Sequence, residues 1–238
     1  MTALIIIDKL TVIRGPHRVL EDFDAEICGG VVTGLLGPSG SGKTTLLRTI
    51  VGVQKVTSGT VTVLGLPAGA AALRRKVAYM TQAASVYKDL SVTDNVRYFA
   101  RITGATSQRV RDVIDQVGLT SRAHQLAGNL SGGQLSRTSL ACALVGDPEV
   151  LILDEPTVGQ DPVLREELWD DFRQRARNGA TVVVSSHVMD EADRCDDLLL
   201  LREGALISHG TPAELRARCD TDDLDEAFLT LVRTQQEN

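Results

Sequence analysis

The sequence lacks the features that hold small secreted proteins together. Its 238 residues include four cysteines, and none of them forms a CxxC pair or a Cys/His cluster with metal-site spacing. A chain of this length buries about 70% of its unfolded surface, so it needs neither a disulfide nor a metal ion to fold. We therefore expect reduced, mostly buried thiols of a cytosolic protein. The cysteines are Cys28, Cys142, Cys195 and Cys219.

Long hydrophobic runs and an excess of basic charge are also missing. No apolar run approaches the roughly 18 residues that a membrane span needs, and the run from Leu4 to Ile7 is too short for a signal peptide. The net charge of -6 argues against a nucleic-acid-binding surface, which must neutralise phosphates. We expect no nucleic-acid partner, and any membrane crossing would require another chain.

Short apolar runs with β-branched residues recur along the chain, and the later ones are unbroken rather than alternating. Unbroken runs are typical of strands that are buried on both faces of a parallel sheet. Helical patterns fall between them, which predicts an α/β fold. The runs are Leu10–Ile13, Val31–Leu36, Thr60–Leu64, Val77–Met80, Val150–Leu153, Thr181–Val184 and Leu198–Leu201.

The middle of the chain, residues 85–146, carries helical patterns and no convincing strand. Its clearest pattern has the i, i+3, i+4, i+7 spacing of one helix face and ends at a glycine suited to the C′ position. We therefore predict a helical lobe inserted into a single domain, with residues 1–84 and 147–238 as the core. The pattern consists of Val110, Val113, Ile114, Val117 and the terminal Gly118.

The end of the chain predicts one short helix and a frayed tail. Thr211 and Glu214 have the spacing of a capping box, with Pro212 at the first helical position. From Arg233 onward the sequence is polar, and we expect it to fray.

A glycine-rich segment follows the apolar run that ends at Leu36. It has the spacing G-x-x-x-x-G-K-[ST] between a strand and a helical pattern, which indicates a phosphate-binding loop, or P-loop. Its backbone N–H groups can curl around a phosphate, and the next helix points its positive end at the same anion. Lys43 is expected to contact the β- and γ-phosphates, and the Thr44 hydroxyl to ligate Mg²⁺. The predicted nucleotide-binding residues are Gly37, Pro38, Ser39, Gly40, Ser41, Gly42, Lys43, Thr44 and Thr45.

Two acidic residues, Asp154 and Glu155, follow the buried run Val150–Leu153. Ligands of open parallel sheets lie at the carboxyl ends of the strands, and successive strand side chains face opposite sides. Asp154 is therefore expected to hold Mg²⁺, and Glu155 to polarise an attacking water. An acidic strand cap without a function is the alternative interpretation.

A second glycine-rich loop, from Leu130 to Gln134, has the sequence LSGGQ and precedes a helical pattern over Leu135–Val145. The N-terminus of that helix would form another anion site. The loop resembles the signature of the ATP-binding subunits of ABC transporters, and the resemblance covers nearly the whole chain. It implies a P-loop NTPase (RecA-like) core with a mostly parallel sheet, an antiparallel β edge and an inserted helical subdomain.

The resemblance also implies roles for further residues. Gln82 would belong to the Q-loop and contribute to catalysis and to the Mg²⁺ site, Asp161 would close the D-loop that begins at Val158, and His187 would sense the γ-phosphate. Glu155, His187, Gln82 and Lys43 are thus the expected catalytic residues. A second ABC subunit, identical or different, would place its signature loop on the ATP of this one. The signature residues are Ser131, Gly132, Gly133 and Gln134.

The partners that the resemblance implies are integral membrane permease subunits, with this chain peripheral at the cytoplasmic face of the membrane. The segments from Tyr87 to Phe99 and from Ser139 to Pro148 are most similar to drug exporters of the daunorubicin-resistance type. We therefore expect ATP-driven export. An importer ATPase, a non-transport ABC ATPase and a non-catalytic nucleotide-binding module are the alternatives.

Two positions depart from the family pattern. Either Arg14 or Ile13, ahead of Gly15, stands where the family usually has an aromatic residue that stacks on adenine, and Gln160 stands where the D-loop usually has leucine. A planar guanidinium can also stack on a base, so Arg14 is a candidate nucleotide contact. The alternative for Arg14 is a solvated surface cation.

Overall fold

The computed structural model describes residues 2–236 and, within them, ten strands that divide between two sheets. The strands are β1 (Ala3–Arg14), β2 (His17–Cys28), β3 (Val32–Leu36), β4 (Ser58–Val63), β5 (Leu66–Pro67), β6 (Val77–Met80), β7 (Val150–Asp154), β8 (Thr181–Ser186), β9 (Asp197–Arg202) and β10 (Ala205–Gly210).

The smaller sheet is antiparallel, with strand order β2-β1-β4-β5. Strand β1 begins well before the predicted Leu10, because Ile5 and Ile7 are buried while Ile6 between them is exposed. Strand β2 was not expected from its sequence, whose apolar residues are interrupted by acidic ones. This alternation is typical of a strand that buries one face only.

The larger sheet has the order β10-β9-β3-β8-β7-β6. Five of its strands are parallel, and β10 pairs antiparallel with β9 at one edge. Met80 lies opposite Leu153, Asp154 opposite Ser185, and Leu36 opposite Ser186. The carboxyl ends of β6, β7, β8 and β3 therefore form one continuous edge, where Gln82, Asp154, Glu155, His187 and the P-loop lie.

Seven α-helices lie in the described part of the chain. They are α1 (Lys43–Val51), α2 (Val92–Thr103), α3 (Ser107–Gln116), α4 (Gly132–Leu144), α5 (Pro162–Arg177), α6 (Pro212–Cys219) and α7 (Leu224–Gln236). None of the helices in residues 2–236 combines the length and the apolarity that crossing a bilayer requires.

Helices α2, α3 and α4 pack against one another in the connection between β6 and β7. The predicted apolar face of α3 is buried at Val110, Val113 and Ile114, and Gly118 adopts φ 65° just beyond the helix. Helix α4 begins earlier than the predicted Leu135, because Ser131 caps its N-terminus. The middle of the chain is therefore helical, as its pattern predicts.

The core lies on both faces of the larger sheet. On β7, Val150 and Ile152 join the apolar cluster that includes α1 and the antiparallel sheet, whereas Leu151 and Leu153 join the cluster on the opposite face. Such alternation is a strand's normal side-chain geometry. It explains why the central strands are apolar without interruption.

The C-terminal prediction is confirmed in part. Thr211 and Glu214 form the capping box of α6, with Pro212 at its start. Helix α7 continues past Arg233 to Gln236, and the neighbouring Val232 is buried. A tail that frays from Arg233 is thus not seen in the described residues, and residues 237–238 lie outside them.

The four cysteines are unbridged. Cys142 and Cys195 are buried, and Cys28 and Cys219 are half-buried, so the expectation of mostly buried thiols holds fully for two of them. Burial raises the pKa of Cys142 to about 12, which keeps that thiol protonated and unreactive.

Candidate functional site

The P-loop connects β3 to α1, as the sequence predicts. Gly37 has φ 152°, and a Cβ built there would lie 2.1 Å from the backbone oxygen of Leu201. Gly42 has φ 105° and forms the N-cap of α1. Neither position accommodates a side chain, so glycine is required at both the start and the end of the loop.

Lys43 is 6% exposed, and its ammonium nitrogen is bonded to the loop's own backbone. Nζ donates to the carbonyl oxygen of Gly37 at 2.6 Å and to that of Pro38 at 3.0 Å. Burial lowers the pKa of Lys43, while the carboxylates of Glu155 and Asp154 oppose that change. The ammonium group is thus a desolvated cation beside two acids.

Asp154 ends β7 and is 1% exposed. Its Oδ1 accepts a hydrogen bond from Ser185 Oγ at 2.7 Å and a longer one from Thr44 Oγ1 at 3.3 Å, and its Oδ2 accepts from the Tyr79 hydroxyl at 3.3 Å. Burial, together with the charge of Asp154, raises the pKa of Tyr79 to about 12. The Tyr79 hydroxyl therefore remains a donor to the carboxylate.

Glu155 lies one residue farther, where the chain turns out of the strand. Gln82 Nε2 donates to its Oε2 at 3.0 Å, and His187 Nδ1 lies 3.2 Å from its Oε1. The carboxylate is 11% exposed, and the His187 side chain is 41% exposed. The structure thus brings together the three residues that follow the ends of β6, β7 and β8.

The predicted Mg²⁺ ligands are only partly assembled. Thr44 and Asp154 are hydrogen-bonded to each other, whereas the Gln82 amide contacts Glu155. Among the described residues, no group of three or more His, Cys, Asp or Glu side chains is placed to hold a metal ion. A hydroxyl and one carboxylate still suit Mg²⁺, which proteins commonly bind through one or two carboxylates together with substrate phosphates.

A cleft of about 280 Å³ opens at the P-loop. Larger clefts, such as one of about 710 Å³ between α2 and α3, contain none of the predicted site residues. The P-loop cleft extends from the exposed Arg14 to Gln82 and Glu155, and Val19 is a lining residue that no sequence pattern indicated. Its lining includes Arg14, Val19, Ser39, Thr45, Gln82 and Glu155.

The signature residues lie elsewhere on the chain and do not line this cleft. Ser131 Oγ accepts from the Gln134 backbone N–H at 3.3 Å, and the Gln134 side chain accepts from the Ser131 N–H at 3.0 Å. This capping box fixes both side chains at the start of α4 and leaves Gly132 exposed between them. The loop therefore presents a helix N-terminus to its surroundings and not to the P-loop of its own chain.

The D-loop packs on the signature loop of the same chain. A Cβ built on Gly133 would lie 3.3 Å from the backbone oxygen of Gly159 and 3.9 Å from Gln160 Oε1. Gln160 is 8% exposed, and within the described residues its Nε2 is buried without a hydrogen-bond partner. Asp161 caps α5 by accepting from the Leu164 N–H at 3.0 Å, so its side chain serves a helix end.

Two residues around Asp154 were missed from the sequence, namely Tyr79 and Ser185. Each stands near the end of a predicted strand on the site edge. The available signal for Ser185 was its place directly after three valines in β8, a strand that is buried throughout, because a hydroxyl buried there needs a partner.

Comparisons with known proteins agree with this geometry. A family profile described as "ABC transporter" matches residues 20–158. The probable multidrug ABC transporter ATP-binding protein YbhF of Escherichia coli K12 is 42% identical over 198 residues, which are 81% of this chain and 34% of that protein. The Nod factor export ATP-binding protein I of Cupriavidus metallidurans is 37% identical over 222 residues, or 90% of this chain and 73% of that protein. The chain thus spans about a third of the length of YbhF.

Solved structures give the same result for the fold. An ATP-binding subunit of an ABC transporter superimposes with a TM-score of 0.89 at 25% identity, covering 96% of this chain and 99% of the other. The protein cbiO1 of Clostridium perfringens, part of the transporter complex cbiONQ, gives 0.77 at 27% identity, with 91% and 92% covered. The predicted P-loop fold, with its mostly parallel sheet and antiparallel β edge, is confirmed.

Proposed function

The chain belongs to the ABC transporter family as an ATP-binding domain with an ATPase fold, and from that premise we propose that it hydrolyses ATP at the cleft beside Lys43 and Glu155. The observation that carries this proposal is the pair of contacts that Gln82 and His187 make with the Glu155 carboxylate. A carboxylate held from both sides at the mouth of a phosphate loop has the geometry of a general base for water.

Each residue contributes through a group that the structure already orients. The Lys43 ammonium exchanges its contacts with the Gly37 and Pro38 carbonyls for phosphate oxygens, which suits a cation that burial has desolvated. Glu155 Oε1 or Oε2 accepts a proton from water as the water oxygen bonds to the γ-phosphorus. The bond between that phosphorus and the β–γ bridging oxygen breaks, and ADP leaves. His187 and Gln82 hold the carboxylate in position for this transfer.

Thr44 and Asp154 would hold Mg²⁺, whose charge would neutralise the phosphate oxygens of ATP. Thr44 is the second residue of α1, and Asp154 is held by hydroxyl groups from neighbouring elements. The Thr44 hydroxyl and the Asp154 carboxylate are therefore positioned by a helix and a strand and not by a flexible loop.

The signature loop completes the site of a second copy or of a different ABC subunit. It lies apart from the P-loop cleft of its own chain, and its capped helix N-terminus suits an anion. Two subunits would thus enclose two ATP molecules between them. Residues 85–146 would move as one lobe against the core of residues 1–84 and 147–238, and this movement would be passed to integral membrane permeases at the cytoplasmic face.

Export is the transport direction that we propose. The similar proteins from Escherichia coli and Cupriavidus metallidurans are named for multidrug transport and for Nod factor export.

Affinity purification of the protein from detergent-solubilised membranes tests the proposed partnership with integral membrane permeases. We expect a multi-span membrane protein to co-purify in stoichiometric amount and to change the ATPase rate, and its absence under conditions that preserve membrane complexes would contradict the assignment.

Replacement of Glu155 by Gln tests the proposed catalysis. The amide keeps the size of the side chain but cannot accept the proton, so we expect ATP binding to persist while turnover falls at least about a hundredfold, within the range typical of general-base catalysis. Steady-state phosphate release and titration with a fluorescent ATP analogue measure the two quantities.

The matched control is Glu149→Gln, since Glu149 immediately precedes the opposite end of β7 and pairs with Lys76. This variant should hydrolyse ATP like the parent. Turnover at the parent rate in Glu155→Gln would show that Glu155 is not the general base.

A further inference from the structure

Ser185 connects the two carboxylates through one hydroxyl group. It is fully buried near the end of β8, and its Oγ donates to Asp154 Oδ1 at 2.7 Å. The same oxygen accepts from the backbone N–H of Glu155 at 3.0 Å. The Ser185 hydroxyl thus acts as a donor to Asp154 and as an acceptor from Glu155, the next residue in the chain.

The backbone of Glu155 is in a conformation that needs such support. Its φ is 52°, in the left-handed region that residues other than glycine rarely adopt. This turn directs the Glu155 side chain towards Gln82 and His187, while Asp154 stays among the hydroxyl groups at the end of the sheet. The separation of the two acids therefore depends on the left-handed turn between them.

The three hydroxyl contacts of Asp154 differ in length. Ser185 makes the short bond at 2.7 Å, whereas Thr44 and Tyr79 each lie 3.3 Å away. Distances near 2.7 Å are optimal for an O–H···O bond, and 3.3 Å is long. Ser185 is consequently the main support of the Asp154 carboxylate.

We propose that Ser185 is a positioning residue that aligns Asp154 for Mg²⁺ and Glu155 for water. The proposal rests on the proposed hydrolysis and gives β8 a role in the site in addition to that of His187, which follows the strand. One hydroxyl orients both the proposed Mg²⁺ ligand and the proposed general base. Its loss should therefore affect Mg²⁺ binding and proton transfer together.

The backbone limits the damage that removing the hydroxyl does. The carbonyl oxygen of Ser185 also accepts from the Glu155 N–H, at 3.2 Å, so the turn keeps one of its two bonds in a Ser185→Ala variant. Alanine fits the same space. We therefore expect a folded protein whose carboxylates are less well oriented.

The test compares Ser185→Ala with the parent in kinetics and in binding. Mutation of a residue that is hydrogen-bonded to a metal ligand typically lowers metal affinity or activity 10- to 100-fold. We therefore expect kcat to fall about tenfold or more, while KM for ATP stays within about twofold. Binding of a fluorescent ATP analogue should need about tenfold more Mg²⁺ for its metal-dependent component. Its affinity in EDTA should not change.

Thr181→Val is the matched control. Thr181 begins β8, is fully buried, and its Oγ1 has no hydrogen-bond partner in the described residues. Valine removes that hydroxyl with little change of shape, and we expect the parent values for kcat and for the Mg²⁺ requirement. A structural role for Ser185 would lower thermal stability alone and leave both readouts at the parent values.

A folded Ser185→Ala variant with the parent kcat and Mg²⁺ requirement would overturn the proposal. If that variant does not fold, Ser185→Cys, whose thiol keeps a weak donor, is expected to show a smaller loss in the same two readouts, and parent behaviour there would overturn it equally. Glu155→Gln in the same assay separates the two hypotheses. An inactive Glu155→Gln beside a fully active Ser185→Ala removes only the positioning role, whereas an active Glu155→Gln removes the proposed catalysis itself.

Discussion

Arg14 stands at the end of β1 and borders the P-loop cleft, with its side chain exposed. Stacking of an aromatic ring on a base contributes roughly 1–3 kcal/mol, and for a guanidinium in that place we expect the lower end of this range, so Arg14→Ala should weaken ATP binding by about tenfold or less. Arg14→Tyr should bind at least as tightly as the parent. Equilibrium titration with a fluorescent ATP analogue measures both, and the exposed Arg74 supplies an Arg→Ala control. Unchanged affinity in Arg14→Ala would leave Arg14 a solvated cation.

His209 provides a prediction on pH at the edge of the larger sheet. Its Nε2 lies 2.7 Å from Asp197 Oδ2, and this hydrogen bond raises the pKa of His209, against the opposing effect of burial. The pair therefore stabilises the fold fully below the usual histidine pKa, and the contribution is lost as pH rises through the folded-state pKa.

The loss of stability in His209→Asn should accordingly be larger at about pH 5.5 than at about pH 8.5. Urea unfolding at the two pH values measures it, with the exposed His124 replaced in the same way as a control. An equal loss at both pH values would mean that the ion pair does not contribute.

At the scale of elements, the contact between the D-loop and the signature loop contains a buried amide group, that of Gln160, whose nitrogen lacks a hydrogen-bond partner in the described residues. Leaving a buried donor unsatisfied costs about 1–3 kcal/mol. Gln160→Leu should therefore increase the free energy of unfolding by about 1–2 kcal/mol. Gln174→Leu, at an exposed position of α5, should change it by less than about 0.5 kcal/mol. Destabilisation of Gln160→Leu in urea unfolding would contradict this assignment.

The elements also show which features a sequence reveals. The P-loop was predictable because glycine spacing, Lys43 and the adjoining strand and helix constrain one another. The positions of Gln82 and His187 followed only from the family resemblance, since a single glutamine or histidine after a strand has no pattern of its own. Ser185 was missed because its two bonds depend on the pairing of β7 with β8, and strand pairing is a property of the folded sheet.

At the scale of the whole molecule, the exposed signature loop predicts dependence on a second copy or subunit. In the Glu155→Gln background, ATP should produce a dimer, because the bound nucleotide is no longer hydrolysed. Adding Ser131→Arg places a long side chain where the partner's phosphate would dock and should abolish that dimer. ATP affinity of the monomer should remain the same.

Size-exclusion chromatography with and without ATP shows whether the dimer forms in each variant. Ser121→Arg serves as the control, because it adds the same charge at an exposed position between α3 and α4. A large loss of monomer affinity in Ser131→Arg would mean that the signature loop binds nucleotide within its own chain.

The connection between β6 and β7 places the signature loop apart from the strand ends that form the P-loop cleft. These strands are parallel neighbours, and a crossover of about a dozen residues with one helix commonly suffices to join such a pair. Here the crossover holds α2, α3 and α4, with the signature loop at the start of the last. The sheet alone supplies the P-loop, both acids and the histidine. In the proposed arrangement, lengthening this one crossover adds the surface that meets a second subunit and leaves the strand ends of the nucleotide site unchanged.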